Sequence, residues 1–230
     1  MASLLKLRTG KKHGASTIVV IGLGRFGTAL ALELVKTGRE VLGVDADEKL
    51  VQNLSDKLTH VVQADTTDEA ALRELGIQDF DSAVVAIGSD LEASILTASL
   101  LLQIGVPEVW AKATSVSHGR ILEQLGVHHV IFPEMDMGKR VAHMVSGESL
   151  DYVQIDEDFV MAKTEAPESF DGKTLADMKF RSNHGVTVVA TRKAGANYLP
   201  SFPETVLNTG DVIIVAGRTS KVEEFCRMGW

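Results

Sequence analysis

Three glycines and one aspartate carry the most legible chemistry in this chain. Gly22, Gly24 and Gly27 form a G-x-G-x-x-G loop directly after the β-branched run Thr17-Ile18-Val19-Val20-Ile21. Asp45 follows the last glycine at about the separation that the dinucleotide fingerprint requires. Gly22 should turn the chain out of a strand, Gly24 should let phosphate approach the backbone, and Gly27 should let the next helix pack on the sheet. Phosphate would then meet a helix N-terminus, where unpaired N–H groups and the macrodipole favour negative charge. A carboxylate at the position of Asp45 can accept hydrogen bonds from both ribose hydroxyls. Together these residues imply a bound adenine nucleotide.

Such a site needs a strand, a helix and a second parallel strand in that order, and the neighbouring sequence supplies them. Residues 28–37 carry an apolar helical face (Ala29, Leu30, Leu32, Leu34, Val35) closed by Gly38, and residues 40–44 read as the second strand. Strand-then-helix continues: strand 60–64 leads to helix 68–75, and strand 82–87 leads to helix 91–104. Strands at 108–113 and 129–132 complete about six. This alternation predicts an α/β, Rossmann-like doubly wound parallel sheet with right-handed crossovers. Ligands bind such sheets beyond the carboxyl ends of the strands, so the loops starting at Gly22, Asp45, Asp65, Gly88, Lys112 and Pro133 should face one another.

The organisation expected is a basic arm at 1–16, a nucleotide-binding N-lobe at 17–133, a linker helix at 134–148 and a smaller α+β C-lobe at 149–230. The C-lobe shows shorter β runs at 152–155, 159–164, 186–191 and 211–216. On the linker helix Met137, Val141, Met144 and Val145 recur at helical spacing, a stripe that either packs into the core or meets a second subunit. Ser146-Gly147-Glu148 reads as a hinge.

Of the 230 residues 45% are hydrophobic and 23% charged, and no apolar run approaches the roughly 20 residues that span a bilayer. A soluble, cytoplasmic protein is expected. Cys226 is the only cysteine, which excludes a disulfide within the chain and reads as a packed residue of the last helix. A net charge of −8 argues against a nucleic-acid partner. The exception is the leading arm, where Lys6, Arg8, Lys11 and Lys12 precede any acid and could meet anionic lipid or a partner.

Gly22-Leu23-Gly24-Arg25-Phe26-Gly27, Val44-Asp45, Ala86-Ile87-Gly88, Val109-Trp110-Ala111-Lys112-Ala113 and Phe132-Pro133-Glu134-Met135-Asp136-Met137-Gly138 together resemble the Ktr-type cytosolic subunits of bacterial potassium uptake, regulators of the RCK type. The resemblance covers nearly the whole chain. It implies an RCK N-lobe (TrkA-N) and C-lobe (TrkA-C), and homodimers assembling into an octameric ring beneath a membrane potassium-translocating subunit at the inner face of the membrane. It implies that ATP and ADP stabilise different ring shapes and so gate transport. Gly22, Gly24 and Gly27, with Phe26 in the same loop, would line the phosphates, and Asp45 and Asp47 would hold the ribose. Asp65, Thr66, Ile87 and Gly88 would lie near the adenine, and Lys112 in the pocket. Arg25 would reach the terminal phosphate, and Glu134 would help hold a Mg or Ca ion there. Some relatives bind cyclic di-AMP between paired C-lobes, for which Asp177, Arg181, Asn183 and His184 are the residues to examine.

Charge supports part of this independently. A pyrophosphate is commonly satisfied by backbone N–H groups, whereas Arg25 adds a full positive charge inside the loop and suits a longer phosphate tail. ATP or ADP is therefore favoured, with NAD or NADH the alternative. NADP is disfavoured, because Asp45 would repel a 2′-phosphate and Ala46 offers no base. The competing class is an NAD-dependent oxidoreductase, or an NAD(H)-sensing binding module. An oxidoreductase needs a placed acid or base beside the nicotinamide, yet the histidines are scattered and no P-loop, H-E-x-x-H or nucleophile elbow occurs. No catalytic residue is assigned.

Overall fold

The computed structural model describes residues 16–146 and 149–228. The basic side chains of the leading arm and Gly147–Glu148 of the expected hinge lie outside the described residues. Two compact units divide between Glu134 and Met135.

In the first unit, strands β1 (Thr17–Ile21), β2 (Glu40–Asp45), β3 (His60–Gln63), β4 (Ser82–Val85), β5 (Glu108–Lys112) and β6 (His129–Ile131) form one sheet in the order β3-β2-β1-β4-β5-β6. Every pairing in it is parallel. The connecting helices are α1 (Arg25–Lys36), α2 (Glu48–Leu54), α3 (Glu69–Glu74), α4 (Leu91–Gln103) and α5 (Val116–Leu125), and α6 (Pro133–Val145) follows the last strand. The strands lack alternation because the sheet is covered on both sides. Val19, Ile21, Leu42 and Val44 face Leu72, Leu101 and Leu122 of α3, α4 and α5, while Val20 and Val41 face Ala31 and Leu54 of α1 and α2. This is the doubly wound architecture expected, with its topological switch point between β1 and β4.

Two departures have local causes. Helix α1 begins at Arg25 rather than at residue 28, because Gly24 adopts extended backbone and serves as its N-cap. Gly27 thus lies inside the first turn instead of ending the loop. Helices α2 and α5 are additional to the elements expected, and both carry side-chain caps: Asp47 accepts from the Lys49 N–H and Ser115 from the His118 N–H.

The second unit is α+β, as expected. An antiparallel sheet runs β11-β10-β13-β8-β7, built from β7 (Asp151–Asp156), β8 (Phe159–Glu165), β10 (Val186–Arg192), β11 (Leu199–Pro200) and β13 (Val212–Gly217). Strands β9 (Lys173–Thr174) and β12 (Val206–Leu207) pair separately. Helices α7 (Leu175–Met178), α8 (Phe180–His184) and α9 (Thr219–Arg227) complete the unit. Val160, Ala162, Ile213 and Val215 pack with Val222, Phe225 and Cys226 of α9, so the lone cysteine is a core residue. The two-residue strands and α7 and α8 escaped the sequence reading, since elements of two to five residues have no period to detect.

Leu101 is fully buried on α4 at the centre of the larger core. Leu101→Ala should lower the unfolding free energy by about 2–5 kcal/mol, measured by urea denaturation.

Candidate nucleotide-binding site

The loop after β1 is shaped by close approaches of its own backbone. Gly22 leaves the strand at φ +91°, and a Cβ there would lie 2.9 Å from the backbone nitrogen of Ile87. Its N–H donates to the carbonyl of Val44 at 2.8 Å, which ties the turn to β2. At Gly27 a Cβ would fall 1.8 Å from the carbonyl oxygen of Gly22, so only hydrogen fits between α1 and the turn. Gly24 is different: nothing lies within 4 Å of where its Cβ would be. The first two glycines serve the protein's own packing, and the third leaves space at the start of α1. That helix has no acid in its first turn to satisfy its free N–H groups.

Asp45 is held in place by the protein itself. Its Oδ2 accepts the Leu23 N–H at 2.5 Å and its Oδ1 accepts the Asp47 N–H at 2.8 Å. A carboxylate oxygen has a second lone pair, so both oxygens can still accept from hydroxyls. Leu23 sits between the glycines with its side chain fully buried, and Gly43 on β2 makes room for it: a Cβ at Gly43 would lie 2.9–3.2 Å from Leu58 and Leu23 methyls. The Thr28 hydroxyl braces the turn from α1 by donating to the Leu23 carbonyl at 2.7 Å. Leu23, Thr28 and Gly43 were missed in the sequence; an apolar residue inside a glycine loop was the available signal.

The other expected contacts divide. Asp47 spends one oxygen on the N-cap of α2, accepting from Lys49 N–H at 2.8 Å. Asp65 accepts from the Thr67 hydroxyl at 2.7 Å and its N–H at 2.9 Å, and the hydroxyl above all holds its carboxyl below the ordinary range. Thr66 turns inward, its hydroxyl 2.9 Å from that of Thr97 on α4, which leaves its backbone rather than its side chain for a ligand. Ile87 packs on the larger core, and Gly88 is exposed beside it.

At the ends of β5 and β6 a charged group forms. Lys112 is 8% exposed, and its Nζ donates to Glu134 Oε1 at 2.5 Å. The same Nζ lies 5.8 Å from the centroid of the Phe26 ring on α1, and a Cβ on Gly88 would come within 2.9 Å of it. Glu134 is held below the ordinary glutamate range, chiefly by that hydrogen bond, with the charges of Lys112 and Arg25 contributing. Residues from four segments of the chain thus come together: Arg25 and Phe26 at the start of α1, Gly88 after β4, Lys112 at the end of β5, and Glu134 at the start of α6. The chemistry offered is anion recognition beside a helix N-terminus with a fixed hydrogen-bond acceptor one strand away.

In the second unit the residues singled out for a cyclic dinucleotide have local partners. Asp177 accepts from the Thr174 hydroxyl at 2.6 Å, Arg181 Nε donates to the Thr187 hydroxyl at 3.0 Å, and Asn183 donates to the Met178 carbonyl at 2.9 Å. The His184 ring packs among Phe170, Phe180 and Phe225.

Sequence comparison matches the TrkA-N domain over residues 18–133 and the TrkA-C domain over residues 160–228. The chain is 35% identical over 207 residues to the Ktr system potassium uptake protein A of Bacillus subtilis (strain 168), covering 90% of this chain and 93% of that protein. It is 35% identical over 212 residues to the Ktr system potassium uptake protein A of Vibrio alginolyticus, covering 92% of this chain and 96% of that protein. Among solved structures, the GsuK channel bound to NAD shares the fold, with a TM-score of 0.63 at 16% identity. The match covers 96% of this chain and 42% of the channel, so the chain spans less than half of that longer protein.

Gly24→Ala and Gly27→Ala should separate the two jobs of the loop. Gly27→Ala should lower stability in urea denaturation by about 1–3 kcal/mol, the usual cost of overpacking. Gly24→Ala should leave it within about 1 kcal/mol, since its new methyl enters open space.

Proposed function

The chain belongs to the Ktr-type family of potassium uptake proteins built from a TrkA-N and a TrkA-C domain, and from that premise we propose that it is a cytosolic regulatory subunit that binds ATP or ADP and gates a membrane potassium-translocating partner. One observation carries this reading: at the carboxyl ends of the parallel strands, a helix N-terminus left open at Gly24 adjoins a pre-positioned Asp45 and the charged side chains Arg25, Lys112 and Glu134. Adenosine would be held by Asp45, with Asp65, Ile87, Gly88 and the backbone of Thr66 around the base. The phosphates would lie on the first turn of α1, at Gly24, Phe26 and Gly27.

The ligand changes by one phosphate between ATP and ADP, and that phosphate brings charge. Arg25 is exposed at the first position of α1, free to follow a longer tail. Among the described residues no group of three His, Cys, Asp or Glu could hold a metal ion unaided. A magnesium shared with phosphate oxygens needs only one or two carboxylates, and Glu134 has its side chain 66% exposed at the right end of the sheet. Such an ion would supply the positive charge that lets a carboxylate and a phosphate adjoin.

Assembly is supported by α6. It buries none of its residues within the chain, and Met137, Val141 and Met144 form an exposed apolar stripe along it. We assign this stripe to the seam of a homodimer, the unit from which a ring beneath the membrane partner would be built. No described helix is long and apolar enough to cross a membrane. NAD is the second reading of the ligand, favoured by the NAD-bound GsuK channel of the same fold and by the adenosine diphosphate half that NAD shares with ADP.

Calorimetric titration with ATP, ADP, NAD and NADH tests the ligand. Tight binding of ATP and ADP is expected, and preferential binding of NAD or NADH would transfer the site to the second reading. Asp45→Ala should weaken every one of these ligands, at roughly 1.5–3 kcal/mol for each hydrogen bond to a charged acceptor. Arg25→Ala should weaken ATP more than ADP, and in Glu134→Gln the thermal stabilisation by ATP should no longer respond to added Mg²⁺ or Ca²⁺. Equal losses for ATP and ADP, or an unaltered cation response, would reject the assignment of these two residues.

Sedimentation tests the seam. The parent should be oligomeric at micromolar concentration, and Val141→Asp with Met144→Asp should split it by burying unpaired charge.

A further inference from the structure

Lys112 is a buried cation and needs a partner. Its side chain is 10% exposed, whereas the Glu134 side chain that satisfies it is 66% exposed and follows Pro133 at the start of α6. The pair is therefore asymmetric. The Lys112 stem is fixed by its surroundings, with Gly88 and the Phe26 ring against the ammonium, while the glutamate can swing into water at little cost. Phe26 belongs to the first turn of α1, so the ammonium stands beside the helix end where the phosphates of a nucleotide are assigned.

Two anions cannot both have this ammonium without strong mutual repulsion. We propose that the Lys112–Glu134 ion pair is an autoinhibitory latch, in which Glu134 occupies the phosphate-binding position of Lys112 and has to be displaced by the phosphates of an incoming nucleotide. This rests on the assignment of the strand-end site to a nucleotide and adds its regulation. The latch makes binding depend on phosphate charge, because a ligand without phosphate gains nothing by opening the pair. Opening it also frees the Glu134 carboxylate, and Arg25 is close enough to act on its charge. The group that holds Lys112 in the latched state thereby becomes available once the nucleotide's phosphates take its place.

The sign of one substitution distinguishes this latch from an ordinary binding contact. Glu134→Gln keeps the shape and removes the competing charge, so the intact protein, titrated with ADP in the presence of a chelator, should bind ADP more tightly than the parent by roughly tenfold. Adenosine should bind both proteins equally. In the absence of ligand Glu134→Gln should also melt at a lower temperature, since Lys112 loses its counter-charge, and ADP should restore more of that loss than adenosine does. In a Lys112→Gln background the gain for ADP should vanish, because the two residues act as one unit. Unchanged or weaker ADP binding by Glu134→Gln would overturn the latch while leaving the nucleotide site standing. Persistence of the gain without Lys112 would overturn it too, by showing only general repulsion from Glu134. If neither ADP nor adenosine binds either protein, the nucleotide reading falls and the latch with it. Should Lys112→Gln fail to fold, the ADP and adenosine affinities of Glu134→Gln still decide.

Discussion

Helix α1 stands where it does because nothing larger than a hydrogen atom fits between Gly27 and the carbonyl oxygen of Gly22. That contact sets the helix axis against the end of β1 and aims its unpaired N–H groups at the space beside Gly24. The remaining supports of the turn hold the same geometry from other directions. Leu23 fills the core, Gly43 yields space to it, and the Thr28 hydroxyl and the Asp45 carboxylate take its carbonyl and its N–H. A side chain at position 27 would displace the helix, and with it the relation between helix end, carboxylate and neighbouring strands.

Parallel topology then brings the distant residues in. Strands running the same way put all their carboxyl ends on one edge, so Asp45, Gly88, Lys112 and Glu134 reach one region although they span some ninety positions of sequence. Their burial divides them by role. Asp45 and Lys112 are fixed by hydrogen bonds and packing, whereas Arg25 and Glu134 project into solvent. A fixed group gives affinity and register, and a free one can respond to what is bound.

How much of this was legible depends on the length over which each signal extends. The sheet was readable because each strand, three to six residues long, centres on a short apolar run and is followed by a helix or a turn signal. The glycine loop and Asp45 were readable because one helix and one strand of ordinary length separate them, a spacing that the strand–helix–strand unit repeats. The start of α1 was misplaced because Gly27 looks like a loop residue unless the Gly22 carbonyl is seen beneath it. The inward turn of Thr66 and the near-complete burial of Lys112 depend on partners 31 and 22 residues away, Thr97 and Glu134, and no local pattern records them. In the C-lobe, α7 and α8 are set by the Thr174 cap, the left-handed backbone at Lys179 and a cluster of rings rather than by periodicity.

A ligand can shift an equilibrium only through a difference in its affinity for the two states. The groups proposed to face adenosine are held by the protein's own contacts: Asp45 by two backbone N–H groups, Asp65 by Thr67, and Ile87 by the core. Contacts that are the same for ATP and ADP, on groups that do not rearrange, contribute affinity but no discrimination. The difference must then come from residues that meet the one phosphate the two nucleotides do not share and that have somewhere else to go. Arg25 and Glu134 are the residues proposed to meet both conditions, the first by its exposure at the helix start and the second because, in the proposed latch, it would exchange one partner, Lys112, for another. On the proposed reading, recognition of the nucleoside and response to the phosphate tail would be carried by different side chains of one site, which would allow the second to vary without loss of the first.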